Sequence, residues 1–367
     1  CAGCGQERGA REAAPYRCPN EGRDGGDHVV RREIDLAKVA FERDNDPNPF
    51  IRYREMLYAW HLGRALGKSD DEYVANARWL NDAVGEADGT RFCETPLIES
   101  PQLRDAIGLP AGVRLFVKDE TGNVAGSHKG RHLMGLGLAL AFAEKAGLPW
   151  AAATECGEWR YAIASCGNAA LAAAVVAHAL ERSLDVFIPT NASPVVVKRL
   201  KELGARITVC ERKPGVAGDP CVLRFREEVA KGAVPFCCQG NENGLAIDGG
   251  MTLAYEMISA LRARGETLDK LFIQVGGGAL ASACAQAFLE AKDMGLVAKV
   301  PQIFAVQTRG GWPLVEAFDE VSARVRALYP AEGESAFEKV LRYAATHRAE
   351  FMRPWGGEPT SIAHGIL

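Results

Sequence analysis

From residue 114 onward the chain repeats one pattern: a short apolar run, a glycine-bearing turn, then a longer stretch with apolar residues at helical spacing. The runs at 114–118, 150–154, 161–165, 184–188, 206–210, 234–238, 270–275 and 302–307 predict strands. The stretches at 130–146, 168–182, 194–203, 219–231, 249–264, 280–294 and 312–326 predict helices. Ser193 can cap one of these, Pro194 suits its first position and Gly204 can close it. Strands alternating with helices imply parallel sheets flanked by crossover helices, an α/β fold. Residues 34–87 read as helical around Phe50, Tyr53, Leu57, Trp60 and Leu62, whereas 1–33 is polar and glycine-rich.

Composition narrows the class. A chain of 367 residues exceeds what one hydrophobic core serves, so two packed domains are expected. The net charge of −4 argues against nucleic acid as the main partner, because phosphate binding needs a basic surface. The apolar runs at 133–143 and 169–177 are too short to span a bilayer. The start is charged and lacks the apolar centre of a signal peptide. Eleven cysteines in a chain this long, several in apolar surroundings (Cys210, Cys237, Cys238, Cys284), suit reduced thiols and a cytoplasmic location. Beginning at Cys1 and stopping within the apolar Gly365-Ile366-Leu367, the chain is expected to be part of a longer natural protein.

Lys129 is the first candidate for chemistry. It lies in Gly126-Ser127-His128-Lys129-Gly130-Arg131, between a strand and a long apolar helix, with no carboxylate beside it on the chain. A lysine becomes a Schiff-base nucleophile when burial and positive neighbours favour the free amine, and Arg131, His132 and the helix start supply such neighbours. The plainer alternative is a solvated lysine at a helix start.

Two glycine loops add anion cradles. Gly276-Gly277-Gly278 joins a strand to a helix at Ala279 and Leu280, where free N–H groups can bind phosphate oxygens. Gly276-x-Gly278-x-x-Ala281 also matches a dinucleotide fingerprint, but the next strand ends in Ala305-Val306-Gln307, without the carboxylate that fingerprint needs. Ser165-Cys166-Gly167-Asn168 opens a second helix; Asn168 either meets a ring hydroxyl or simply caps that helix. An amine nucleophile with two anion cradles is what pyridoxal phosphate (PLP) chemistry requires.

The order Lys118-Asp119-Glu120, Asn123, Gly126-Ser127-His128-Lys129-x-Arg131, Ser165-x-Gly167-Asn168 and Gly276-Gly277-Gly278-x-Leu280 resembles the tryptophan-synthase-β superfamily of PLP enzymes, fold type II. Within it the chain is most similar to threonine synthase and the serine and threonine ammonia-lyases. Thr95-Pro96-Leu97, Asp248-Gly249-Gly250-Met251-Thr252-x-x-Tyr255-Glu256 and Val306-Gln307-x-x-Gly310-x-x-Pro313-Leu314 extend the likeness. The resemblance implies that Lys129 forms the Schiff base with PLP, that Gly276, Gly277, Gly278, Ala279 and Leu280 hold its phosphate, and that Asn168 bonds the ring hydroxyl. It implies that Ser165, Cys166, Gly167 and Asn168 receive the carboxylate of a small amino-acid substrate, in a homodimer. The corresponding division is a large PLP-binding domain of 34–130 plus 236–367, with a small α/β domain of 131–235. His128 departs from the aromatic residue usual before the lysine, 154–161 lengthens the approach to the Asn168 loop, and the ring-nitrogen partner is expected beyond Leu367.

β-Elimination from a serine- or threonine-like amino acid is the leading expectation, because Gly276-Gly277-Gly278-Ala279-Leu280 is similar to the lyase loop. Replacement with loss of phosphate, as in threonine synthase, or β-replacement are the alternatives; a nicotinamide-dependent oxidoreductase and a non-catalytic PLP-binding protein are the other classes. Cys1-x-x-Cys4 and Cys18 resemble three-quarters of a zinc ribbon such as some threonine synthases carry. Glu21 stands where the fourth cysteine belongs, so either Asp24 or His28 completes a zinc site or 1–33 is a degenerate ribbon.

Overall fold

The computed structural model describes residues 1–23, 28–151, 160–216, 218–329 and 333–352. Its first half opens with α1 (Pro49–Arg52), α2 (Tyr58–Ala65) and α3 (Asp70–Asp88), followed by β1 (Leu97–Glu99), α4 (Pro101–Ala106) and β2 (Phe116–Lys118). Then come α5 (Lys129–Lys145), β3 (Arg160–Ala164), α6 (Asn168–Ala179), β4 (Ser183–Pro189), α7 (Pro194–Glu202), β5 (Arg206–Cys210), α8 (Pro220–Ala230) and β6 (Val234–Pro235). The remainder is α9 (Ala246–Ala263), β7 (Lys270–Gln274), α10 (Ala279–Asp293), β8 (Gln302–Val306), α11 (Pro313–Leu328), α12 (Gly333–Thr346) and α13 (Arg348–Phe351). The alternation expected from the sequence is present, and the α/β class with parallel sheets is the fold observed.

One sheet has the order β5-β4-β3-β6, all neighbours parallel, with Tyr161 opposite Leu184 on one side and Val234 on the other. Parallel neighbours require crossovers, which α6, α7 and α8 supply. β7 and β8 form a second parallel pair joined through α10. Four details differ from the sequence expectation. The strand expected at 114–118 pairs antiparallel with β1, Leu97 opposite Lys118, because the short α4 connection returns the chain beside its own start. Instead of a strand beginning at 150, Pro149–Ala151 form a 3-10 turn, and 152–159 lie outside the described residues. The strand at 234–238 shrinks to Val234–Pro235, proline having no N–H to extend the ladder. Pro194 and Gly204 punctuate α7 as expected, but Ser193 makes no side-chain capping bond.

The centre of the molecule is α5, buried on every face from Gly130 to Ala143. Such a helix needs apolar residues all round rather than a stripe, and Leu133, Met134, Leu136, Leu138, Leu140 and Phe142 provide them. α9 crosses it in near backbone contact: a Cβ on Gly249 would lie 2.1 Å from the Arg131 carbonyl oxygen. Only glycine allows that approach, which fixes α9 against the first turn of α5 and so against Lys129. α6 packs on another side of α5 and α10 packs on α9. Among the described residues, no helix is long and apolar enough to cross a membrane.

Candidate functional site

Lys129 is the first residue of α5, half-buried, immediately after a constrained turn. The Asn123 side chain caps the Val124–Gly126 turn by accepting from Val124 N at 2.8 Å, and donates to Glu120 Oε2 at 2.7 Å. Ala125 and Gly126 follow at φ 55° and 66°. A left-handed alanine is strained, and the bond from its N–H to Asp88 Oδ2 (3.1 Å) helps hold it. The lysine therefore leaves a backbone whose direction is set by hydrogen bonds on both sides.

Two residues beyond it, Arg131 is fully buried between two carboxylates. Its Nε and one terminal nitrogen donate to Glu120 (2.8 and 2.9 Å), while both terminal nitrogens donate to Glu256 (2.6 and 3.0 Å). Thr252 and Thr95 hydroxyls lie at 3.1 and 3.0 Å, and Lys118 pairs with Glu256. Burial opposes the Arg131 charge, but Glu256 and Glu120 overcome it and hold the guanidinium above its ordinary pKa. Burial likewise opposes ionisation of Glu120, and Arg131 reverses this, keeping the carboxyl below its usual range. This clamp joins the β2 turn, α5 and α9 at the base of Lys129. Sequence reading assigned these carboxylates no role, since Glu120, Arg131 and Glu256 stand far apart on the chain; the signal was only that each belongs to a quoted motif.

The positive neighbours expected around Lys129 are corrected by this geometry. Arg131 is matched by carboxylates. Burial, then Lys129, drives His128 well below the ordinary imidazole pKa and His132 down to about 4, so both rings are neutral. His132 donates from Nδ1 to the Ala246 carbonyl at 2.8 Å. What remains positive near the amine is the N-terminal end of α5 itself.

This sets a pH dependence. An imidazole depressed from 6.5 to about 4 binds a proton in the unfolded chain before it does in the folded one, so stability falls as pH drops through that window. Asp248, raised to about 6 by burial despite Arg32, works with the opposite sign over part of the same range. The comparison must therefore be between variants. His132→Gln is expected to flatten the loss of stability between about pH 6.5 and pH 4 in denaturant titrations, and an unchanged slope would refute the assignment.

The Ser165 loop ends β3 and opens α6. Gly167 is the N-cap residue, without a side-chain capping bond, and Ser165 Oγ accepts from Gly167 N at 3.4 Å. Asn168 is the first helical residue, so the capping role considered for its side chain is not the one observed. The Cys166 thiol is pushed up by burial, a poor nucleophile. α6 packs against the Val124–Gly126 turn that precedes Lys129.

The glycine loop sits between β7 and α10. Gly278 has φ 81°, and the first helical bond runs from Ser282 N to the Gly278 carbonyl at 2.9 Å. The earlier amides of α10 thus point toward the loop mouth, and the space where a Cβ would stand on Gly277 or Gly278 is open. Gln307 braces this end: its amide donates to the Val275 carbonyl (3.4 Å) and accepts from Leu314 N (2.9 Å). The glycine loop connects to the other two through α10 and α9. Buried His128 Nε2, beside Lys129, has no hydrogen-bond partner, as is also true of His132 Nε2, and is an orphan that a polar ligand atom would satisfy. An amine, two open helix starts and an unmatched imidazole nitrogen fit a phosphorylated pyridine aldehyde.

Residues 91–349 match the model of the pyridoxal-phosphate dependent enzyme family. The chain belongs to this family. It is 28% identical to threonine synthase of Synechocystis sp. over 224 residues, 60% of this chain and 52% of that protein, so it spans about half the length of the curated relative. Diaminopropionate ammonia lyase from Escherichia coli superposes with a TM-score of 0.45 and 19% identity, covering 64% of this chain and 59% of that one. A fungal L-serine ammonia-lyase from Rhizomucor miehei gives a TM-score of 0.46 and 18% identity, covering 63% and 64%. The family membership sets aside the nicotinamide-dependent reading of the Gly276 loop. The lengthened stretch at 154–161 falls mostly outside the described residues, as do Asp24 and 353–367.

Proposed function

We propose that this PLP-dependent enzyme is a lyase that abstracts the Cα proton of a small, serine- or threonine-like amino acid and eliminates a β substituent. The observation that carries the reading is the Lys129 amine at the start of a buried helix, with α6 packed on the turn before it and α10 packed on its neighbour α9, each of these two opening in an uncapped N-terminus. Bound PLP supplies a conjugated ring that takes up the electrons released at the substrate's α carbon. Lys129 would hold the cofactor through its aldehyde carbon, and its Nζ, as a free amine, would accept the substrate's α proton. The amides from Gly276 to Leu280 hold the phosphate, and Asn168 meets the ring hydroxyl. The Ser165–Asn168 turn takes the substrate carboxylate at the positive end of α6. The likeness to threonine synthase supports a second reading, in which a phosphorylated amino acid loses phosphate and gains water.

The test mixes the PLP-loaded protein with a panel of amino acids while ammonia, phosphate and the cofactor spectrum are followed. Ammonia release from serine, threonine or a diamino acid, with a spectral change, is expected. Phosphate release from a phosphorylated homologue without ammonia would replace the lead by the second reading, and no spectral response to any amino acid would refute both.

A further inference from the structure

Outside this site, four metal-ligating atoms converge at the other end of the described chain. The sulfurs of Cys1, Cys4 and Cys18 and a His28 ring nitrogen all lie within 4.8 Å of one another. Cys4 Sγ is 3.6 Å from Cys18 Sγ, and His28 Nδ1 is 3.5 Å from Cys18 Sγ and 3.7 Å from Cys1 Sγ. A tetrahedral zinc with ordinary bond lengths has edges of about 3.8 Å between sulfurs and about 3.6 Å between sulfur and nitrogen. These three edges are close to those lengths, and the remaining ones stay within 4.8 Å. Two N–H groups of Asn20 also face the sulfurs, its backbone N toward Cys18 and its Nδ2 toward Cys4, each at 3.4 Å. Donors aimed at sulfur are what a metal-bound thiolate requires around it. His28, rather than a residue at the Glu21 position, closes the set.

The surroundings say what an ion here would do. Among the described residues, 1–33 contains no helix or strand, so it has little core of its own to hold it. It is nevertheless seated on the protein. Gly244 N donates to the Tyr16 carbonyl (3.0 Å) and Trp150 Nε1 to the Ala10 carbonyl (2.7 Å), while within the segment Ala2 N donates to the Val29 carbonyl (2.8 Å). A Cβ on Gly244 would fall 2.1 Å from the Val30 carbonyl oxygen, so the extended segment after His28 lies directly on the approach to α9. Four residues after His28, Arg32 enters the core. Its guanidinium is bidentate to Glu290 of α10 (2.6 and 3.0 Å), donates to Tyr255 Oη of α9 (2.7 Å), and pairs with Asp248. Asp248 and Glu290 are carboxylates that need this cation.

We propose that Cys1, Cys4, Cys18 and His28 bind one zinc-class divalent cation, and that this ion is a latch that seats Arg32 between α9 and the glycine-loop helix α10. Removing the ion frees the segment at His28, and the buried carboxylates lose their partner. Structural metal binding is coupled to folding in this way when the ligands are scattered on irregular chain.

The experiment uses the whole chain, prepared with zinc under reducing conditions, and does not depend on the PLP reading. Metal analysis is expected to give one zinc per chain, lost in Cys18→Ser and in His28→Gln but retained when the exposed Cys93 is replaced by serine. Cobalt in place of zinc should give the visible and thiolate charge-transfer bands of a tetrahedral sulfur-rich site, absent from both ligand variants. Hydrogen exchange of α9 and α10 amides should rise at least about tenfold on chelation, and by a similar factor in Arg32→Met with its metal retained. Zinc absent from the intact protein, zinc retained by both ligand variants, or a Cys4–Cys18 disulfide in its place would overturn the site. Metal present with unchanged exchange on chelation would overturn the latch. If Cys18→Ser does not fold, His28→Gln and the chelation series still decide both.

Discussion

Lys129→Ala is expected to lose at least about 10³-fold in turnover while keeping its fold, because one group serves as covalent anchor and proton acceptor. The lysine is half-buried at the first position of α5, and alanine is the best helix former, so nothing in the packing demands the longer side chain. Lys129→Arg separates charge from nucleophilicity: it keeps a cation at the helix start but offers no amine, and it should be as inactive as alanine. Borohydride treatment of the PLP-loaded parent, followed by peptide mapping, should place the pyridoxyl adduct on the peptide containing Lys129. The rival is Lys118, a second buried amine whose pKa burial lowers. Its Nζ is already committed to Glu256 and the Thr95 carbonyl, which leaves it poorly placed to attack. An adduct on the Lys118 peptide, or substantial turnover in Lys129→Ala, would remove the basis of the proposed mechanism.

The sequence made the ends of strands and the starts of helices legible, because those junctions are local: β7, the glycine loop and α10 follow one another on the chain, as do β3, the Ser165 loop and α6. Other elements differed: Pro235 stopped a strand that apolar residues 236–238 suggested, Pro149–Ala151 form a 3-10 turn where a strand was expected, and α4, α12 and α13 lie where no helix was expected. What the sequence could not show is anything that depends on which distant groups meet. Arg131 looked like a positive neighbour of Lys129, and only the fold sets Glu120 and Glu256 against it. His132 looked like a positive neighbour because imidazole titrates near neutrality, and burial reverses that. Asn168 looked like a helix cap, yet the helix starts one residue earlier in its hydrogen bonding, with Gly167 as the cap. The sequence offered Asp24 or His28 beside the three cysteines, and the fold brings a His28 ring nitrogen within 4.8 Å of their sulfurs as the chain turns back on Ala2 at Val29.

Arg131→Met is expected to cost about 3–5 kcal/mol of stability, the range for removing one partner of a buried ion pair. Methionine fills much of the volume, so the loss is mainly electrostatic: Glu120 and Glu256 stay buried with Lys118 as the one cation that pairs with Glu256 within the clamp. The sign of the pH response distinguishes this from a packing defect. In the parent, Glu120 is held below its ordinary pKa, so the clamp's contribution is present above the usual carboxylate value and is lost as pH falls through the depressed one. In the variant the stranded carboxylate is relieved by protonation over the same fall. The gap between parent and variant should therefore narrow as pH drops into the carboxylate range, whereas a cavity would leave it constant. The double variant Arg131→Met with Glu256→Gln should recover part of the loss, since the two residues share one network and their effects cannot add. Denaturant titrations of the four proteins across pH measure all of this. A constant gap, or strict additivity, would mean that Arg131 fills space at the base of Lys129 without holding the three chain segments together by charge.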